Sequence, residues 1–143
     1  MKVCSPEWLA EAKKRTNEDE KHRELAKGNN ESYTLVLEPE LDKGVTTTTI
    51  IGFDNVDGLM NEVWEGLRPT VFTLSAPYGA WVDILRGKMG ATKAIATRRL
   101  RTQGPFLQLL QGGNRIIRWV EILRTIPTEF EGTYAQYDLP GEG

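Results

Sequence analysis

One cysteine, one histidine and no long apolar run set the first limits on this chain of 143 residues. Cys4 alone excludes an intramolecular disulfide and any CxxC redox or zinc motif. No 18 consecutive residues are apolar, and the stretch MKVCSPEWLAEAKKR has no apolar core for a signal peptide. We therefore expect a cytoplasmic protein that does not span a membrane.

Motifs for nucleophilic or metal chemistry are also missing. The chain has no Gly-x-Ser-x-Gly motif and no acidic cluster with EF-hand spacing. Its one histidine, His22, stands within EDEKHREL, where charged neighbours indicate a solvated surface helix. The sequence therefore predicts no catalytic residue, no metal site and no cofactor.

The segment RGKMGATKAIATRRLRTQG mixes glycines with cations and invites comparison with phosphate loops. A Walker motif fails because Val82 stands where its first glycine is needed and Met89 follows Gly87-Lys88. A dinucleotide fingerprint fails because Gly87 and Gly90 are three apart and follow a predicted helix. We interpret Gly87 as the residue that ends this helix.

Charge is unevenly distributed although the net charge is only −2. Residues 1–83 hold 9 Lys and Arg against 15 Asp and Glu, whereas residues 84–120 hold 8 against none. The basic block lacks exposed aromatics at stacking spacing, so we expect no nucleic-acid partner. Its cations are Arg86, Lys88, Lys93, Arg98, Arg99, Arg101, Arg115 and Arg118.

Helix signals open the chain, and a period of two follows. Ser5-Pro6-Glu7 indicates a helix to about Thr16, and Asn17 resembles the cap of a second helix that ends at Gly28. Four segments then have strand character, with DNVDG at 54–58 as a hairpin turn, so the first half predicts a largely antiparallel meander. These segments are residues 32–38, 46–54, 59–65 and 70–75.

Helical spacing returns in the second half. Trp81, Ile84 and Leu85 form one apolar stripe, and a short helix is expected over Ala91 to Ala96. RRLRTQ at 98–103 is a candidate fifth strand, and residues 105–124 form a strongly amphipathic helical end. We expect one domain over residues 1–126, followed by an acidic, loosely ordered tail over 127–143.

This order of elements resembles the sterol carrier protein 2-like (SCP2) domain family over about residues 5 to 124. The resemblance lies in the strand feeding YGAWVDILRGK, the ATKAI helix, the short strand before Gly104 and the leucine-rich segment after it. It implies an α+β fold with a five-stranded, mostly antiparallel sheet covered on one face by helices. An apolar tunnel between sheet and helices would bind fatty acyl chains, acyl-CoA or sterols, and Arg98 stands where the family often has glycine.

Together these patterns predict a non-catalytic binder of a lipid or similar long apolar ligand. The candidate cations for an anionic head group or an anionic membrane surface are Arg86, Lys88, Arg98, Arg99 and Arg101. The candidate tunnel residues, each of which could instead belong to a packed core, are Trp81, Ile84, Leu85, Met89, Ile95, Phe106, Leu110, Ile116, Ile117, Val120 and Leu123.

Two alternatives remain open from the sequence. One is an accessory or scaffold protein, as a homodimer, whose cavity is vestigial. The other is an enzyme that acts on a lipid thioester without recognisable motifs.

Overall fold

The computed structural model describes residues 1–142, which fold into six helices and five strands. The helices are α1 Pro6–Glu18, α2 Glu20–Leu25, α3 Tyr78–Leu85, α4 Ala91–Ala96, α5 Phe106–Gln111 and α6 Gly113–Leu123. The strands are β1 Ser32–Glu38, β2 Thr49–Val56, β3 Leu59–Glu65, β4 Phe72–Pro77 and β5 Arg101–Gln103. Short 3₁₀ turns cover Leu41–Lys43 and Gly132–Tyr137. The predicted α+β class is confirmed.

The five strands form one mixed sheet in the order β3-β2-β1-β4-β5. β1 pairs with β2 antiparallel but with β4 parallel, and β4 pairs with β5 antiparallel. The predictions of a mostly antiparallel sheet and of a meander through β4 are therefore wrong at the central pair. The chain crosses from β3 to the far side of β1, where Leu74 aligns with Leu35 and Ala76 with Leu37. This register places the apolar residues of both strands on one face.

Local capping explains where the first helices begin. The Ser5 side chain accepts a hydrogen bond from the Trp8 amide, as predicted for α1. The cap of α2 is Asp19, which accepts from the His22 amide at 2.8 Å. Asn17 is not that cap, because its amide group exchanges two hydrogen bonds with the backbone of Met60 in β3.

The β2–β3 hairpin and the basic segment show two uses of left-handed backbone. Asp57 and Gly58 both have positive φ, the geometry of a tight hairpin turn, as the DNVDG motif predicts. Arg98 also has a positive φ of 62°, a backbone conformation that glycine adopts without steric cost. This explains why the family resemblance predicts glycine at this position. The fifth strand is thus shorter than predicted and begins at Arg101.

One face of the sheet carries the core and the other is half-exposed. Tyr33 lies on the apolar face, with its ring stacked on Phe53 at 5.0 Å and on Phe72 at 5.2 Å. Helices pack onto this face with buried residues that include Ile95 and Leu109. Alternate residues such as Thr73 and Ser75 point to the less buried side. No helix in residues 1–142 is long and apolar enough to cross a membrane.

Residues 128–131 are packed against the rest of the chain, at the start of the tail that composition predicts to be loosely ordered. The indole N–H of Trp8 donates to buried Thr128 at 3.0 Å, and Phe130 is buried. Further along, the Glu131 amide donates to the hydroxyl of Tyr78 at 3.0 Å. Composition does not reveal these contacts, because they join residues that are far apart in the chain.

Candidate functional site

A small cavity lies between the apolar face of the sheet and the helices α2, α5 and α6. Its volume is about 50 Å³. The residues that line it are His22, Tyr33, Leu35, Phe53, Asn55, Met60, Leu74, Leu109, Arg115, Ile116 and Trp119. Most of these side chains are apolar, and they come from four strands as well as from the three helices.

The apolar part of the cavity has the sheet as its floor and α5 and α6 as its roof. The Trp119 ring of α6 packs on Phe53 of β2, with 4.9 Å between ring centroids. Leu109 is fully buried, and no other residue of α5 is buried. Ile116, one turn before Trp119, completes this wall. An apolar ligand entering here would therefore contact both the sheet and the α5–α6 segment.

His22 brings a polar group to the cavity. The side chain is only 4% exposed, so the expectation of a solvated histidine is wrong. Its charged neighbours occupy the outer faces of α2, whereas His22 and Ala26, four residues apart, face inward. Burial holds the pKa of His22 below its ordinary value, so the imidazole is neutral at pH 7. Within residues 1–142 its Nδ1 has no hydrogen-bond partner.

The cation in the cavity wall is already neutralised. Arg115 of α6 donates to Glu31 at 2.7 Å and to the Tyr33 hydroxyl at 3.1 Å. Burial would raise the pKa of Glu31, but hydrogen bonds from Tyr33, Asn29 and Gln108 and the Arg115 charge hold it below its usual value. Both members of the ion pair are therefore charged, and the wall carries no net charge from them.

Two further polar groups line the same cavity. Asn55 is buried, and its side-chain amide donates to Asn29 at 3.0 Å. The indole N–H of Trp119 is buried without an acceptor among the described residues. Two of the lining residues, His22 and Trp119, therefore each have a buried nitrogen atom without a hydrogen-bond partner among residues 1–142.

The predicted tunnel residues occupy three kinds of position. Ile116 is the member of the set that lines the cavity, and Ile117 is exposed at the surface. Those in the packed core are Ile84, Leu85, Ile95, Val120 and Leu123. Those half-buried at its edge are Trp81, Met89, Phe106 and Leu110. Contact between this set and a ligand stays a prediction.

The predicted head-group cations do not line the cavity. Arg86 stacks on Tyr137 and lies 3.7 Å from Asp83, which Arg99 also approaches at 3.6 Å. Arg101 forms an ion pair with Glu38. Lys88 and Arg98 are exposed, and Arg98 lies over the Phe106 ring at 5.1 Å. Acidic residues outside the basic block thus pair with part of it, which the block's own sequence could not reveal.

Side chains that could ligate a metal ion lie apart from one another. Residues 1–142 contain no group of three or more His, Cys, Asp or Glu side chains placed to hold a metal ion. Cys4 is buried, and burial raises the pKa of its thiol to about 12, so it is a protonated thiol at neutral pH.

Sequence reasoning missed most of the cavity wall. The alternation of Tyr33, Leu35 and Leu37 did predict an apolar sheet face, but that face was not assigned to a ligand site. Phe53, Met60 and Leu74 belong to the same face in the neighbouring strands. The available signal was strand alternation, which identifies a face but does not show which part of it lies under a cavity.

Comparisons with known proteins agree with this architecture. A crystal structure of sterol carrier protein 2 has a TM-score of 0.77 at 18% identity, covering 87% of this chain and 99% of that one. A conserved hypothetical protein from Thermus thermophilus has a TM-score of 0.71 at 19% identity, covering 86% and 90%. Sterol carrier protein 2 from Aedes aegypti, in complex with palmitate, has a TM-score of 0.52 at 17% identity, covering 81% and 96%.

The search of curated proteins found no match. A family model, by contrast, matches most of the chain, from the first turn of α1 through α5, and so includes the whole sheet and every strand that forms the cavity floor. The model is that of the SCP-2 sterol transfer family, with residues 9–112 matched, and the chain therefore belongs to this family.

Proposed function

We propose that this protein binds, and transfers, a lipid or similar long apolar ligand without catalysis. The observation that most directly supports this proposal is the apolar cavity between the sheet and the α5–α6 segment, in a chain of the SCP-2 sterol transfer family. The palmitate complex of the Aedes aegypti protein supports a fatty chain as one ligand class. Burial of about 0.8 kcal/mol per methylene group would supply the affinity.

Binding requires the cavity to enlarge. Its volume of about 50 Å³ holds a few water molecules, whereas pockets for ligands of drug size span about 300 to 1,000 Å³. Helix α5 is the weakest wall, because it has six residues, no side-chain cap and one buried residue. Displacement of α5 would also bring the predicted Phe106 and Leu110 into contact with the ligand.

A pair of adjacent isoleucines allows a matched test. Ile116→Trp should fill the cavity and reduce co-purifying or added lipid in native mass spectra by at least tenfold. Ile117→Trp adds the same side chain at an exposed position and should leave lipid binding unchanged. Equal lipid occupancy in both variants and the parent would place the ligand elsewhere and refute the proposal.

Peripheral contact with an anionic membrane is a second part of the proposal. Lys88 and Arg98 are exposed, Arg98 covers Phe106, and Leu107 beside it is 74% exposed. Cations near an anionic surface each contribute about 1 kcal/mol, and an exposed leucine inserts favourably at an interface.

Charge reversal tests this contact. Lys88→Glu with Arg98→Glu should weaken binding to phosphatidylserine vesicles at least tenfold, while Lys14→Glu with Lys21→Glu makes the same charge change on exposed positions of the first two helices. Equal loss in both double variants would show a general charge effect and not a docking site.

The same native mass spectra separate the alternatives. An empty homodimer would favour the scaffold function, and turnover of added acyl-CoA would favour the enzyme. A monomer with bound lipid would support the carrier. A cytoplasmic location belongs to the proposal and is consistent with the single, unpaired Cys4.

A further inference from the structure

A second cavity lies between α3, the loop after it and the 3₁₀ turn Gly132–Tyr137. Its volume is about 310 Å³, near the lower end of the range of about 300 to 1,000 Å³ for small-molecule pockets. No residue among 1–142 lines both this polar cavity and the apolar one, and the 3₁₀ turn lies outside the residues 9–112 that the family model matches. The side chains that give the polar cavity its character are Glu40, Asp83, Arg86, Lys88, Arg99 and Tyr134.

Close contacts build one end of the polar cavity. One carboxylate oxygen of Glu40 accepts a hydrogen bond from the Gly79 amide at 2.6 Å, and the other accepts from the Tyr134 hydroxyl at 2.8 Å. A Cβ atom at Gly79 would lie 2.2 Å from the Tyr134 oxygen, so this approach requires glycine. Each oxygen of Glu40 therefore already has a donor within the wall.

Three cations line the other end, and much of their hydrogen-bonding capacity is unused. Arg86 and Arg99 approach the two oxygens of Asp83 at 3.7 and 3.6 Å, distances too long for hydrogen bonds. The Arg86 guanidinium is held in place because it lies 3.8 Å from the centre of the Tyr137 ring. Lys88, two residues after Arg86, is exposed and adds a third positive charge.

These unused donors match an anion that has several acceptor oxygens. A phosphate monoester carries a charge of about −1.5 to −2 at pH 7 and three strong acceptor oxygens. A planar guanidinium binds two of these oxygens at once, and an ammonium group attracts the same charge as a point cation. A carboxylate offers one charge and two oxygens, so it would leave more of the donors from three side chains unused.

We propose that the polar cavity binds the phosphate monoester group of a small molecule, held by Arg86, Lys88 and Arg99. The site goes beyond the proposed function, because it needs no ligand in the apolar cavity. A soluble metabolite and a lipid with a terminal phosphate share this chemistry, and two probes with the same head group distinguish them.

Glycerol 3-phosphate and phosphatidic acid are these two probes. Isothermal titration calorimetry of the full chain at pH 7.4 should detect binding of glycerol 3-phosphate and no binding of glycerol. Binding only to phosphatidylcholine vesicles that contain phosphatidic acid, with loss of this binding in an Arg99→Gln variant, would assign the phosphate to a lipid. If neither probe binds in a manner that depends on Arg99, the inference is wrong, whereas lipid binding in the apolar cavity is unaffected.

Single variants test the assigned residues. Arg86→Gln and Arg99→Gln should each raise the Kd of the bound probe about tenfold, the loss expected for one hydrogen bond to a charged group. Lys14→Gln removes the same charge at an exposed position of α1 and should leave the Kd unchanged. Asp83→Asn removes the carboxylate that competes for both guanidiniums and should lower the Kd. Thermal unfolding verifies that each variant is folded. Equal Kd values in the parent, Arg86→Gln and Arg99→Gln, or weaker binding by Asp83→Asn, would overturn the inference.

Discussion

Protonation of His22 makes the free energy of unfolding depend on pH. Its pKa is about 6.5 in an unfolded chain and lower in the folded protein, because burial disfavours the charged ring. Below pH 6.5 the unfolded chain therefore binds a proton that the folded chain does not, and the free energy of unfolding falls as the pH drops. Carboxylates whose pKa is lowered in the folded protein include Asp19 and Glu31. They change the free energy of unfolding only at pH values below their ordinary pKa values near 4.

We predict that stability decreases between pH 6.5 and pH 5 in the parent protein. His22→Gln removes the only histidine, so its urea midpoint should be nearly constant across this range. Urea unfolding at pH 7.5, 6.5, 5.8 and 5.0 measures both. Parallel loss of stability in parent and variant would show that His22 does not cause this pH dependence.

The Arg115–Glu31 pair is a second feature at the scale of single residues. Both side chains are largely buried, at 14% and 12% exposure. Arg115→Met should lower the free energy of unfolding by about 3 kcal/mol, because it leaves a buried carboxylate without its cation. Adding Glu31→Gln to this variant should restore most of the loss. Urea unfolding tests the pair, and full stability of Arg115→Met alone would show that Glu31 needs no counter-charge.

Among the elements, α5 and α3 differ most in how firmly they are held. Six of the eight residues of α3 are buried, against one of six in α5. α5 also lies between Pro105 and the Gly112-Gly113 pair, where little side-chain packing fixes the backbone. This contrast supports α5 as the part of the cavity wall that moves when a ligand enters.

We predict that α5 amides exchange with deuterium much faster than α3 amides in the ligand-free protein. Addition of 1-decanol should slow exchange in α5 and leave α3 unchanged, since α5 contributes to the cavity wall and α3 does not. Hydrogen–deuterium exchange with peptide-level mass spectrometry measures both helices at once. Equal protection of α5 and α3 without ligand would refute the moving wall.

Elements also show how far the sequence predicts this fold. Strands β1 to β4 and helices α1, α3 and α4 follow from period, caps and turn residues, because these signals are local. The parallel pairing of β1 with β4 does not follow, since it depends on contacts about 40 residues apart. The break between α5 and α6 at Gly112 was likewise hidden within one amphipathic stretch.

The candidate site was less predictable than the fold for the same reason. Ile116 was expected, but Phe53 and Leu74 became wall residues only through strand pairing, and His22 only through the packing of α2 on α6. The cations of residues 84–120 gained partners such as Glu38 and Asp83 from other parts of the chain. A charge pattern along the sequence therefore overstated the free positive charge.

At the scale of the whole molecule, the sheet and the helices α2, α5 and α6 form the walls of a small, mostly apolar cavity. The packed segment around Thr128 and Phe130 fixes α1 at one side, while α5 remains the weakly held wall. A rigid sheet floor beneath a movable helix suits a carrier, because the ligand can enter and leave without disruption of the core. We therefore expect this cavity to bind an apolar chain.

The most direct test is the Kd of a series of straight-chain alcohols from eight to twelve carbons, measured by isothermal titration calorimetry. Each added methylene should lower Kd by a factor of about four, the equivalent of 0.8 kcal/mol, until the enlarged cavity is full. The same Kd at every chain length, or no binding at all, would show that the cavity does not bind an apolar chain.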